Sequence, residues 1–94
     1  MLFLIVAHDG TDAGAKERRA AARPSHLVSA KERFDAGGMP IGGAILDAAG
    51  AMIGSALVVE AADEAEARAI VENDPYTKQG VWVRYDVWPF KRAF

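Results

Sequence analysis

Leu2-Phe3-Leu4-Ile5-Val6 is apolar at every position and runs into Asp9-Gly10, a pattern that predicts a strand buried on both faces. Alanine-rich sequence follows, in which Asp12 can cap a helix that starts near Gly14, runs to about Phe34 and ends at Gly37-Gly38. Pro24 lies inside it. Proline removes a backbone donor and disfavours helical geometry at the preceding residue, which predicts a kink, or a break and restart, near Arg23. Met39 to Asp47 and Met52 to Glu60 are two strand candidates joined through Ala48-Ala49-Gly50. Gly42 and Gly43 weaken the first of them, by marking either a loose edge strand or a place where another group comes close. Asp63-Glu64-Ala65-Glu66 opens a second helix with negative charge at the positive end of its dipole, Ala65, Ala69 and Ile70 offer a packing stripe, and Asp74-Pro75 ends it. In the last strand, Val81 to Trp88, Val81, Val83, Tyr85 and Val87 alternate with Trp82, Arg84, Asp86 and Trp88.

The order βαββαβ predicts an α+β, ferredoxin-like domain: a four-stranded antiparallel sheet with both helices on one face. The other face is then bare. With a first strand apolar at consecutive positions and two tryptophans in the last, that face would carry an apolar patch of the kind monomers rarely expose. The expected cover is a second copy packed sheet to sheet, a homodimer with Trp82 or Trp88 at or near its interface.

Composition narrows the partners. A chain of 94 residues fits one domain, residues 1–94, and one so small gains from a partner subunit. Eleven Lys and Arg stand against thirteen Asp and Glu, a formal net charge of −2, so no electrostatic footprint for nucleic acid appears. No apolar run approaches the ~18 residues that span a bilayer, and Met1–Ala7 lacks a basic leader; the expectation is a cytoplasmic protein with no membrane partner. With no cysteine, disulfides, thiolate nucleophiles and cysteine-based zinc sites are closed.

The chemistry concentrates in two short segments. Arg19, Arg23 and His26 fall within about 60° of one another on an unbroken helix, and Asp74-Pro75-Tyr76 offers a carboxylate near the other end of the chain. Histidine titrates nearest working pH, so an imidazole oriented by a carboxylate can take up and return a proton. Arg19 and Arg23 could grip an anionic ligand, although a cluster of Lys16, Arg18, Arg19 and Arg23 also suits a solvated helix face. His8 and Asp9 are adjacent on a strand and therefore point to opposite faces; Asp9 is read as a loop or pocket residue and His8 as surface. No His-x-x-x-His spacing supports a metal site. Ser55 lacks a nucleophile-elbow motif and reads as a pocket hydrogen-bond donor or a plain strand serine. Tyr76 either closes the pocket with its ring or packs beneath the helix.

Arg19-x-x-x-Arg23-Pro24-x-His26-Leu27, Gly54-Ser55, Asp74-Pro75-Tyr76, Gly80-Val81 and Pro89-Phe90-Lys91 with a terminal phenylalanine, in this order and spacing, resemble the YCII-related (YciI-like) proteins over nearly the whole chain. The resemblance implies a ferredoxin-like fold, a dimer related to the dimeric α+β barrels and an active site centred on a His/Asp pair, which maps onto His26 and Asp74. Asp9 and Ser55 also match family positions. The short connection between the middle strands and the segment Pro40-Ile41-Gly42-Gly43-Ala44 depart from the family pattern, which implies a different pocket shape. Members with an assigned activity act on small, often aromatic-derived molecules by elimination-type chemistry. Two functions follow as expectations: a cofactor-independent lyase or isomerase using His26 and Asp74, or a non-catalytic dimeric module that binds a small metabolite. An RNA-binding domain of the same topology is disfavoured, since Gly54-Ser55-Ala56-Leu57-Val58-Val59 lacks an aromatic stacking pair.

Overall fold

A computed structural model describes the whole chain, Met1–Phe94. The elements run β1 (Leu2–Asp9), α1 (Ala15–Asp35), β2 (Ile41–Leu46), β3 (Met52–Glu60), α2 (Glu64–Glu72), α3 (Pro75–Lys78) and β4 (Trp82–Phe90). The strands form one sheet in the order β2-β3-β1-β4, with every neighbouring pair antiparallel. The apolar β1 lies between β3 and β4, but it is fully buried only on the helix side, at Phe3, Ile5 and Ala7; Leu2, Leu4 and Val6 on the other face are half-buried. Its inward positions Phe3, Ile5 and Ala7 meet Leu57 and Val59 of β3, Val87 of β4, Ala22 of α1, Ala67 and Val71 of α2, and Tyr76 in a single core. Close approach explains Gly54: a Cβ there would stand 2.5 Å from the carbonyl oxygen of Ala7, so only glycine lets the two central strands come together at this point.

Several local expectations need correcting. Helix α1 runs without a break through Pro24. Its N-cap is Gly14, with no side-chain cap. Asp12 instead binds both Nη atoms of Arg18, at 2.8 and 2.6 Å, an ion pair that holds its carboxyl down at about 2. In α2 the acidic opening stands where expected, with Glu64 and Glu66 in the first turn, and Asp63 in addition caps the helix by accepting from the Glu66 N–H at 2.8 Å. The packing stripe, however, is Ala67 and Val71 with Ile70 beside them, while Ala65 and Ala69 face water. Helix α2 stops at Glu72, just before Asp74-Pro75, as expected, but the pair also starts an extra turn, α3, with Asp74 as N-cap.

The largest correction concerns Trp82. Between β1 and β4 the ladder slips by one residue: His8 pairs with Arg84, but Asp9 pairs with Trp82, leaving Val83 as the extra residue. A bulge of this kind reverses the side-chain alternation beyond it. Trp82 therefore turns to the helix side, where it is buried, and Val83 is left exposed. Trp88 stays on the open face with Leu4 opposite it, next to Phe90 opposite Leu2. No helix is long and apolar enough to cross a membrane.

Candidate active site

Helix α1 changes character at its middle. Up to Ala22 one stripe is sunk into the core: Ala15, Arg19 and Ala22 are buried. Beyond His26 no residue of α1 is fully buried, and Leu27, Val28 and Phe34 are exposed. Between this second half, the start of β2 and the α2–α3 junction lies a cavity of about 520 Å³, within the ordinary range for a small-molecule site. Gly42 keeps its β2 wall low, since a Cβ there would press on the thioether of Met39 at 2.9 Å.

The bulge and the buried Arg19 of α1 build one end of this cavity. Arg19 places Nη1 2.9 Å from each oxygen of Asp9, with both side chains only 7% exposed. Its Nη2 donates to Ser55 Oγ at 3.2 Å, and Trp82 Nε1 donates to the same oxygen at 3.2 Å. Two N–H donors occupy the acceptor side of Ser55, leaving its own proton free to donate. The Arg19 Nε is buried with no partner. Asp9 and Arg19 thus neutralise each other, and Arg19 serves as a support for the site rather than as a free anion grip.

Above this layer stands His26. Its Nδ1 lies 2.8 Å from Asp74 Oδ1, although the two residues are 48 positions apart. The same carboxylate oxygen accepts the Tyr76 backbone N–H at 2.8 Å, so capping α3 is what aims Asp74 at the imidazole. A carboxylate can only accept, which puts the proton on Nδ1 and leaves the Nε2 lone pair unused. The His26 and Tyr76 rings stack at 3.9 Å, 13° from parallel, and Trp82 meets each edge-on, at 5.5 and 5.4 Å. The guanidinium of Arg19 lies 4.8 Å from the Tyr76 ring centre. Arg19 and His26 are two turns apart on α1, about 10 Å along its axis, so the tyrosine ring is bracketed between them. Burial pushes the Tyr76 phenol up, and the charges of Arg19 and Arg23 partly oppose that rise.

Asp9, Arg19, Ser55, His26, Asp74 and Tyr76 thus meet in one cluster, with Arg23 on the cavity wall. His8 stands apart on the open face, its Nε2 3.7 Å from Asp86. Sequence reasoning missed Trp82, because a one-residue slip leaves no local signal. It also missed Arg33, which lines the cavity. Carrying the stripe of Arg19, Arg23, His26 and Ala30 one turn further reaches it.

The fold and this cluster together define a ferredoxin-like α+β domain with an imidazole–carboxylate pair in the lining of a cavity. The YCII-related domain model matches residues 1–91, and the chain belongs to that family. It is 39% identical over 71 residues, 68% of this chain and 72% of the other, to the derivative of benzaldehyde biosynthesis cluster protein C of Emericella nidulans. Among solved structures it is similar to the 5-chloro-2-hydroxyhydroquinone dehydrochlorinase of Burkholderia phenoliruptrix AC1100, determined in complex with 2,5-dihydroxybenzoquinone. The TM-score is 0.86 and the identity 32%, over 99% of this chain and 96% of that one.

Proposed function

We propose that the protein is a small-molecule enzyme of the lyase or isomerase type that acts on a hydroxylated, aromatic-derived ring, with His26 as general base and acid. The observation that carries this reading is the 2.8 Å contact between His26 Nδ1 and Asp74 in the wall of the cavity. The dehydrochlorination and the bound quinone named for the similar structure support the reaction class. In the scheme, Nε2 of His26 takes a proton from a ring hydroxyl or the carbon beside an activated carbonyl. The electron pair left behind enters the ring system as an enolate or phenolate. Asp74 stabilises the imidazolium that forms, and the Ser55 hydroxyl and the Arg23 guanidinium supply hydrogen bonds and positive charge to the developing oxyanion. The imidazolium then returns the proton elsewhere on the substrate or to a departing group. The scheme draws on no cofactor.

Turnover of hydroxyhydroquinones bearing a ring leaving group, followed by absorbance, tests this. Asp74→Asn keeps an oxygen for the α3 cap and is expected to lower turnover by about two to four orders of magnitude with little change in stability. If His26→Ala retains full turnover, the chemistry does not run through the imidazole, and if Asp74→Asn unfolds the protein, Asp74 is a structural cap; ring compounds that bind without being turned over by the wild type make the chain a binding module.

We also propose a homodimer. On the open face of the sheet Leu2, Leu4 and Val6 lie beside Val58, Ile41, Trp88 and Phe90, and Ile41, Trp88 and Phe90 are 66, 48 and 40% exposed. A second copy packed on this face would cover it. Sedimentation equilibrium is expected to give twice the chain mass, and Trp88→Glu to shift the population to the monomer.

A further inference from the structure

The cavity is larger than the ring chemistry at His26 requires. A single ring with a few oxygen substituents has on the order of ten heavy atoms, whereas about 520 Å³ would hold roughly seventeen groups the size of a water at about 30 Å³ each. The surplus lies along the second half of α1, towards Ala30, Arg33 and Phe34, where Met39 and Pro40 form the facing wall.

Charge is distributed unevenly along that space. Of the basic side chains on α1, Arg18 is paired with Asp12, Arg19 with Asp9 and Lys31 with Asp35. Lys16, Arg23 and Arg33 have no carboxylate partner, and of these three only the two arginines line the cavity. The one acid in its lining, Asp74, is engaged by His26. Arg33 sits in the last turn of α1, where a cation suits the helix dipole. A fully solvated side chain would serve that purpose equally well, yet Arg33 is half-buried and faces the cavity. His26 and Arg33 are seven residues apart, about 10 Å along the axis and within about 20° around it. They project from one line of the helix into one space.

We infer that the far end of the cavity is an acidic-group subsite, in which Arg33 binds a carboxylate carried on a short side chain of the ring that sits at His26. This rests on the proposed ring chemistry and adds the substrate class: a ring acid rather than a bare ring. Guanidinium binds carboxylate through two parallel hydrogen bonds. Its own length covers part of the distance to the ring, leaving a tail of about two to four atoms to span the rest.

Calorimetric titration at low salt tests this with 4-hydroxybenzoate, 4-hydroxyphenylacetate, 3-(4-hydroxyphenyl)propionate and 4-(4-hydroxyphenyl)butyrate, their primary amides, and glutarate as a ringless control. Affinity is expected to rise about tenfold from the benzoate to the propionate or butyrate. The amides should show no such rise, Arg33→Gln should abolish it, and Arg33→Lys should restore part of it. Equal affinity of acids and amides, or a rise that persists in Arg33→Gln, overturns the subsite and leaves the ring reading standing. Arg33-dependent binding of glutarate as tight as that of the ring acids keeps the subsite and overturns the ring reading. Failure of every compound to bind at millimolar concentration overturns the subsite.

Discussion

The two halves of α1 share one helix and have opposite energetics. In the first half the charge on Arg19 is buried and answered by Asp9, and the small residues Ala15 and Ala22 are sunk into the core. In the second half the apolar side chains Leu27, Val28 and Phe34 are exposed, and Arg33 has no carboxylate partner beside the cavity. The first half is sealed by its own packing; the second borders an open cavity. A helix that packed evenly along its length would fill the space now left for a ligand, so the cavity exists because the hydrophobic stripe is interrupted. His26 stands at the boundary, its ring stacked on Tyr76 and its side chain in the lining of the cavity.

The sharpest break between the halves comes from removing one charge in each. Asp9→Asn leaves the Arg19 guanidinium buried without a counter-charge, and chemical denaturation is expected to show a loss of about 3–5 kcal/mol. Arg33→Gln, at a half-buried site with no ion pair to lose, is expected to stay within about 0.5 kcal/mol of the wild type in the same measurement. Equal losses would mean that the second half is as tightly integrated as the first.

A smaller effect is expected at the junction itself. Pro24 stands inside a continuous helix, where it removes a hydrogen bond and crowds the preceding turn. Pro24→Ala is therefore expected to stabilise the protein by about 1–3 kcal/mol. If the two halves depend on an angle that proline sets between them, the same variant will also lower ligand affinity, which titration of the ring acids would register.

The smallest effect concerns Tyr76, whose ring holds the boundary. With its phenol pushed up by burial, the folded protein keeps this proton at a pH where the unfolded chain releases it. The contribution is fully present below the ordinary tyrosine value near 10 and is lost as pH rises through the folded value. Absorbance at 295 nm is expected to show one of the two tyrosines ionising late, and Tyr76→Phe should remove that late step. A single transition at the ordinary value would mean that Tyr76 is more open to water than its packing indicates.

The strand order, the two main helices and the central place of β1 are legible in the linear chain because each rests on local patterning, whereas the meeting of His26 with Asp74 across 48 positions is implied by the family resemblance and by no local rule. The outward Trp82 and the break at Pro24 are not what the protein adopts. Alternation along a strand is a local rule that holds only while the ladder stays in register. The slip after His8 is set by how two distant strands pair, and no property of Val81-Trp82-Val83 announces it. Proline's preference is likewise outweighed once Ala22 on one side and the His26–Tyr76 stack on the other fix both flanks of the helix.

By itself the sequence determined which residues are apolar and in what rhythm, and therefore an antiparallel sheet with helices on one side. It also determined that a histidine and a carboxylate were available for acid–base work. Tertiary structure alone decided which charges cancel and which remain. Asp9 takes up Arg19 because the bulge and the first half of α1 bring them to 2.9 Å, whereas Arg33 is left free because α1 no longer seats on the sheet by the time it reaches that residue. Coulombic and hydrogen-bond energies fall steeply with distance and depend on burial, and both are fixed by packing between segments far apart in the chain.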